Sequence, residues 1–410
     1  MPRVYMDHAA TTTVLPETVQ AVTEQMFTGG NPSSLHSAGR RARAAVEQAR
    51  DRVARALNCD SAEVIFTSGG TEADNLAVKG LYWSRTKANR AACRIIVSAI
   101  EHHAVGDAVE WLETHEGAEP VWISPNSEGI ITPEAVAQAV GESPDTVALI
   151  TVMWANNEMG AVQPIAEIAQ LAESHGIPFH TDAVQAFGAL DIDFRACGAT
   201  TLAISGHKIG GPMGVGALIA TRTAPLAPLL HGGGQERSVR SGTIDAPAIA
   251  GFGVAAQSVT NHRAEESRRL ANLRNLLIEG VRHAIPEATL NGPEPENSEQ
   301  IADGAFRRLP GNAHFTFPGC EGDSLLFLLD MAGIESSTGS ACNAGVPRPS
   351  HVLLAMGVDE GIARGAQRFT LGHTSSEADV QALLGALPAA WEQAKKAGMA
   401  AQAPDSQRWN

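Results

Sequence analysis

Residues 147–182 restrict the fold more than any other stretch. Val147-Ala-Leu-Ile-Thr-Val-Met-Trp154 is an apolar run of strand length and reads as a strand buried on both faces. A polar loop, Ala155-Asn-Asn-Glu-Met-Gly160, follows it. Pro164 then opens a helix to about Ser174, and Gly176-Ile-Pro-Phe-His-Thr-Asp182 reads as the next strand. Strand, helix and strand in so short a span form a parallel crossover unit. The spacing therefore predicts an α/β fold, with Asn157, Asp182 and Gln185 at strand ends on one edge of the sheet. Open parallel sheets hold their ligands at that edge.

A second segment supplies an amine to the same rim. The apolar run 201–204 stops at Ser205, His207 and Lys208 follow, a turn rich in glycine comes next, and a second apolar run covers 215–220. This is strand, tight polar turn, strand. Two readings of Lys208 compete. It is either a surface lysine in a glycine-rich hairpin or an amine withheld from bulk water, able to form a Schiff base with a carbonyl cofactor. A carboxylate, amides and a lysine gathered on one rim favour a cofactor pocket.

Two further strand ends add candidates. Strand 63–67 runs into Ser68-Gly-Gly-Thr71, and a helix begins at about 72. Gly70 and Thr71 form either an anion nest at a helix start or a plain tight turn. Neither a Walker loop nor a dinucleotide fingerprint is present. Arg94-Ile-Ile-Val-Ser98 leads into Glu101-His-His-Ala-Val105, which sets His102 and His103 at a carboxyl end of the sheet. Adjacent histidines point apart, so at most one of them faces a site. Metal binding is disfavoured, because no further ligand stands at helical spacing.

The remaining elements frame these strands. Val4–Thr13 is a short strand running into a polar loop, where Asp7 and His8 either cap a turn or face a site. Helices are expected from Pro16 to about Phe27 and over about 35–57, the latter capped by Ser33 or Ser34. The basic face of the second helix, Arg50 included, suits a solvated or subunit-facing surface. The loop 230–243, with its glycines and arginines, suits a second phosphate contact or a subunit contact. A long amphipathic helix over about 246–284 leaves the first domain. Strands near 288–291, 313–317 and 333–337, a helix over 322–330 and a strand over 368–372 then build a second one.

The second domain also carries Ser336-Ser-Thr-Gly-Ser-Ala-Cys-Asn-Ala-Gly-Val-Pro-Arg-Pro-Ser350. Cys342 lies there among Gly, Ser, Asn and Pro, unlike the other four cysteines. It is either a nucleophile carried on a moving loop or a tolerated loop thiol. Arg368 either forks onto a substrate carboxylate or makes a structural ion pair.

Composition removes several classes. A net charge of −15 over 410 residues repels phosphate backbones, so no direct nucleic-acid binding is expected. No apolar run approaches a membrane span. Five widely spaced cysteines and an opening without a signal-peptide core predict a reduced cytoplasmic protein.

Taken in order, these motifs identify a family. Tyr5-Met-Asp-His-Ala-Ala-Thr-Thr, Phe66-Thr-Ser-Gly-Gly-Thr-Glu-Ala-Asp-Asn, Glu101-His-His-Ala-Val, Asn156-Asn-Glu-Met-Gly, His180-Thr-Asp-Ala-Val-Gln, Ser205-Gly-His-Lys, Arg240-Ser-Gly-Thr and Gly339-Ser-Ala-Cys resemble the NifS/IscS-like cysteine desulfurases. These are class V members of the fold-type I pyridoxal-phosphate enzymes. The resemblance implies a large domain with a mixed, mostly parallel sheet flanked by helices, and a smaller α+β domain. The expected division is an N-terminal segment 1–15 packing near the small domain, a large domain 16–260, a small domain 261–395 and a tail 396–410.

It also implies roles. Lys208 holds pyridoxal 5′-phosphate and then acts as acid and base. Asp182 pairs with the pyridine nitrogen, and His102 stacks on the ring. Gln185 and Asn157 contact the phenolic oxygen, with Asn157 also near the substrate carboxylate that Arg368 binds. Gly70, Thr71, Ser205 and His207 hold the phosphate, joined by Thr243 from a second subunit. Cys342 attacks the sulfur of bound L-cysteine, keeps it as a persulfide and releases alanine. A homodimer and a sulfur-acceptor protein, for iron–sulfur assembly or tRNA thiolation, are the implied partners. The sequence departs from the family after Cys342, where Asn343-Ala344 replaces the usual Thr-Ser and Pro347 and Pro349 flank Arg348. Proline at those positions stiffens the outer loop. A selenocysteine lyase or another class V enzyme is the neighbouring alternative, and a non-catalytic scaffold that binds a sulfur carrier is the alternative from another class.

Overall fold

A computed structural model describes residues 3–339 and 349–402. Seven strands form the main sheet in the order Val64–Thr67, Gly216–Ala220, Thr201–Ser205, Phe179–Asp182, Val147–Thr151, Arg94–Ser98, Glu119–Ile123. The five from Thr201–Ser205 to Glu119–Ile123 run parallel, and Gly216–Ala220 pairs antiparallel with both of its neighbours. The crossover over 147–182 is present, with its helix at Ile165–Ser174. All residues of Val147–Thr151 are buried, as expected for a central strand covered on both faces.

The sheet's carboxyl ends fall together because every strand but one of the parallel set is connected through a helix that returns the chain to the same starting edge. Helices Gly70–Ala88 and His103–Glu116 pack on one side with Ala148 and Leu149. Helices Ser37–Ala56 and Ala246–Ala284 pack with the other face.

A second hydrophobic cluster gathers Leu277, Phe315, Phe317, Leu325, Phe369 and Leu383. It surrounds a three-stranded antiparallel sheet of Thr289–Leu290, Asn312–Thr316 and Ala366–Thr370. Val4 and Met6 join this cluster, and Val4–Tyr5 pairs in parallel with Ile334–Glu335. Helix Ala246–Ala284 serves both cores: Phe252 and Ala255 bury in the first, Leu277 and Val281 in the second. The boundary expected at 260/261 therefore falls inside one continuous helix.

Several local expectations change. The helix over 37–56 is capped by His36, whose ring accepts from the Gly39 N–H, and not by Ser33 or Ser34. Arg50 is not on a solvated face: its guanidinium is buried and forks onto Glu236 at 2.7 Å through both Nη atoms. Glu236 also accepts from the Phe66 N–H. Breaking one side of such a buried pair costs about 3–5 kcal/mol, which helps hold Glu236, Arg237 and Ser238 in left-handed backbone. The strand near 333–337 pairs with the N-terminal segment through Ile334–Glu335 and bridges to the three-stranded sheet through Ser337, which pairs with Arg368. The terminal helix Glu377–Gln402 runs past residue 396, where a frayed tail is expected to begin.

Candidate active site

Each strand end places one piece of the site. The strand Phe179–Asp182 ends on Asp182, and Thr201–Ser205 ends on Ser205. A single 3₁₀ turn, Gly206–Lys208, then carries His207 and Lys208. Strand Val64–Thr67 leads through Gly69, at φ 153°, into helix Gly70–Ala88. Only glycine suits Gly70, since a Cβ there would meet Val184 Cγ2 at 2.8 Å. His102 caps the helix His103–Glu116, its Nδ1 accepting from the Ala104 N–H at 3.1 Å.

These ends line one cavity of ≈ 260 Å³. Gly70, Thr71, His102, Asn157, Asp182, Gln185, Ser205, His207 and Lys208 all contribute to its wall, and so does Asp74. Thr243 is exposed and is not part of this wall within one chain. A second cavity of ≈ 210 Å³ adjoins the first, lined by Lys208, His102, His103, Asn157, Arg368 and others, so both adjacent histidines border the site, against the expectation of at most one: His102 caps the helix that His103 opens, and both rings reach the same opening. Cys342 lies outside the described residues.

Lys208 is held by the N-terminal segment. Its Nζ donates to the Ala9 carbonyl and, at 2.9 Å, to the Ala10 carbonyl. Gln185 Nε2 donates to the same Ala9 oxygen at 2.9 Å. Burial, then the charge of Arg368, lowers Lys208 from its usual value to about 8. Burial and then Asp74 push Asp182 up to about 8. Its Oδ1 accepts from the Val184 N–H at 2.8 Å. Burial and then Lys208 lower both His102 and His207 to about 4, so each ring is neutral. Beneath Asp182, Asp74 and His180 are 3.2 Å apart and fully enclosed. Burial raises the acid and lowers the imidazole, which makes this a neutral hydrogen-bonded pair and not a salt bridge.

Arg368 faces the second cavity from strand Ala366–Thr370. Nη1 donates to the Asn157 carbonyl at 2.7 Å and Nη2 to Asp7 Oδ1 at 2.8 Å. Among the described residues its Nε is buried without a hydrogen-bond partner. Asp7 thus pairs with Arg368 but lines neither cavity, while His8 is buried against Thr12, its Nδ1 2.7 Å from the hydroxyl. Arg240, in the loop 230–243, forks onto Glu72 at 2.7 and 3.1 Å. Sequence reasoning missed Asp74, Glu101, Ala9, Ala10 and His351. Asp74 and Glu101 stand inside quoted motifs, but nothing local marks them as buried acids. Among the described residues, no cluster is arranged to hold a metal ion.

A family model described as aminotransferase class-V matches residues 4–383. The chain belongs to that family. It is 51% identical over 397 residues to an IscS-like cysteine desulfurase of Mycobacterium tuberculosis, covering 97% of this chain and 98% of the relative. The structure of a NifS-like protein from Rickettsia africae is 32% identical with a TM-score of 0.82, covering 95% of this chain and 99% of the other. A structure described as SspA in complex with cysteine is 34% identical with a TM-score of 0.74, covering 90% and 98%.

Pyridoxal 5′-phosphate is the cofactor of this family, and the donor set fits it. Asp182, enclosed and raised toward neutrality, calls for a cationic N–H partner such as a pyridinium. Helix N–H groups at Gly70 and Thr71 with the Ser205 hydroxyl suit a phosphate. Lys208 at about 8 supplies an amine that is about one-tenth neutral at pH 7. The unprotonated amine is the nucleophile toward an aldehyde. Reductive labelling of Lys208 by a small aldehyde is therefore expected to accelerate with pH up to about 8 and then level off. A rate still climbing at the pH of an ordinary lysine would contradict the depressed amine.

Proposed function

We propose that this protein is a pyridoxal-phosphate-dependent cysteine desulfurase, converting L-cysteine to L-alanine and passing the sulfur to Cys342 as a persulfide. One observation carries the reading: Lys208, Asp182 and His102 line a single cavity at the carboxyl ends of the sheet. When bound, the cofactor supplies an electron-poor ring that stores charge as the C–S bond breaks. Lys208 holds its aldehyde and, once released, moves the proton at the substrate's Cα through Nζ. Asp182 keeps the ring nitrogen protonated. His102 covers the ring, while Gln185 and Asn157 bind its phenolic oxygen. Gly70, Thr71, Ser205 and His207 take the phosphate, together with the partner subunit's Thr243 in a homodimer. The exposed Met26, Phe27 and Leu35 suit such an interface. The two hydrophobic cores support a division into a large cofactor domain and a small domain to which the Cys342 loop belongs.

Sulfur held on Cys342 calls for an acceptor protein, such as an iron–sulfur scaffold or a tRNA-thiolation protein. The cytoplasm, where thiols stay reduced, suits this chemistry. No described helix is long and apolar enough to cross a membrane. After one turnover without reductant, the chain is expected to gain one sulfur at Cys342 for each alanine formed, read by mass spectrometry of the peptide. Absence of alanine would defeat the desulfurase reading; alanine without added sulfur would defeat the role of Cys342.

Arg368 binds the substrate carboxylate in this scheme. Arg368→Lys keeps the charge and loses the fork. A charge-assisted hydrogen bond lost there costs about 1.5–3 kcal/mol, so KM for L-cysteine is expected to rise roughly ten- to a hundredfold. The cofactor spectrum should stay unchanged. An unaltered KM would assign Arg368 to its pair with Asp7 alone.

A further inference from the structure

The start of helix Gly70–Ala88, where the proposed phosphate contacts lie, also carries a carboxylate. Glu72 stands in the first turn of that helix and reaches back to the loop before it. Its Oε2 accepts from the Ser68 N–H at 2.8 Å and from the Ser68 hydroxyl at 2.5 Å. Thr67 adds a second tie, its hydroxyl donating to the Gly69 carbonyl at 2.9 Å. Glu72 and Thr67 therefore brace the turn that presents the Gly70 and Thr71 N–H groups. No role assigned above uses Glu72.

A carboxylate at this place has two opposed effects. It completes the turn and suits the positive end of the helix. That positive end is also what attracts a phosphate, and a bare negative charge within one turn of it repels a dianion. Arg240 resolves the conflict. Its Nε donates to Glu72 Oε1 at 2.7 Å and its Nη2 to Oε2 at 3.1 Å, a bidentate fork. Both side chains are only 16% exposed, so solvent and salt screen the pair poorly. The bond to Glu72 raises Arg240 above its usual value. Burial opposes ionisation of Glu72, but the bonds from Arg240 and Ser68 outweigh it and lower the acid. Both partners are thus ionised. Neither lines the cavity, so neither touches the cofactor directly.

We propose that Arg240 is the counter-charge that lets Glu72 brace the phosphate turn without repelling the phosphate, so that the pair sets the affinity for the phosphate of the cofactor. Both are positioning residues. This inference rests on the cofactor reading given above.

The test separates the phosphate from the ring. Full-length protein stripped of cofactor is titrated with pyridoxal 5′-phosphate and with pyridoxal, which lacks the phosphate, and binding is read from the absorbance of the bound chromophore. Arg240→Gln leaves Glu72 charged and unpaired. It is expected to weaken pyridoxal 5′-phosphate about tenfold or more, and pyridoxal by less than about twofold. Adding Glu72→Gln to that variant removes the stranded charge and keeps an acceptor for Ser68. The double variant is expected to bind pyridoxal 5′-phosphate at least about threefold more tightly than Arg240→Gln alone. A loss caused only by a displaced Thr243 would not be recovered in this way. Equal weakening of the two ligands, unchanged affinity for pyridoxal 5′-phosphate, or no recovery in the double variant would overturn the proposal. Should Arg240→Gln fail to fold, Glu72→Gln alone serves. With Arg240 released, the ratio of the two affinities is expected to shift about threefold toward the phosphorylated ligand, and a ratio that stays or falls would also overturn it. Wild-type protein that binds neither ligand would instead sink the cofactor reading itself.

Discussion

Lys208→Ala is expected to purify without bound cofactor after dialysis and to form alanine at least about 10²–10⁴-fold more slowly than wild type, the range set by losing a positioned acid–base group. The side chain does two separate things: it holds the cofactor aldehyde and it moves the proton at the substrate's Cα. An added amine can replace only the second. The fold should survive, because among the described residues Nζ bonds only the loop carbonyls of Ala9 and Ala10 and takes no part in either hydrophobic core. Absorbance after dialysis and alanine formation are the two measurements. A Lys208→Ala protein that stays coloured and turns over at the wild-type rate would remove the basis of the proposed mechanism.

Cys342→Ala separates cofactor chemistry from sulfur transfer. The variant should keep the wild-type cofactor absorbance and thermal midpoint, since Asp182, His102 and Lys208 are untouched. Persulfide should be absent, and sulfide release from L-cysteine should drop on the order of 10³-fold, equivalent to about 4 kcal/mol of barrier. The reason is chemical: the departing sulfur needs a soft nucleophile, and no other cysteine offers one. Cys197 and Cys320 are buried, and burial raises both to about 11, so neither is a thiolate at neutral pH. Burial likewise raises Cys59 to about 12, and burial and then the charge of Glu119 raise Cys93. Normal turnover by Cys342→Ala would force another sulfur acceptor into the scheme.

The parts of the fold that could be read in advance are those with a local signature. Val147–Thr151 is a continuous apolar run, and the helix Ala246–Ala284 keeps its apolar spacing for its whole length. Elements with weak local signals went unread. Glu119–Ile123 is a half-exposed edge strand containing Pro120, and Pro133–Val140 is a helix of only eight residues. Arg50 misled because its neighbours Arg41, Arg43, Arg52 and Arg55 form a basic pattern, while its own partner, Glu236, is remote in sequence.

The candidate site divides along the same line. Gly70, Asp182, Ser205 and Lys208 were visible because each follows a recognisable strand, and strand ends in a parallel sheet converge whatever the intervening loops do. Local patterning alone therefore establishes the class of fold, the rim on which the reactive groups stand and the family to which they belong. Three-dimensional packing was needed to show that Asp7 meets Arg368, that Ala9 and Ala10 receive Lys208, and that His351 lies against the Glu101 carbonyl. The reason is range: periodicity and turn chemistry act over a few residues. Burial and hydrogen-bond partnership join groups hundreds of positions apart, and those long-range contacts bring Lys208 to about 8 and hold His102 neutral.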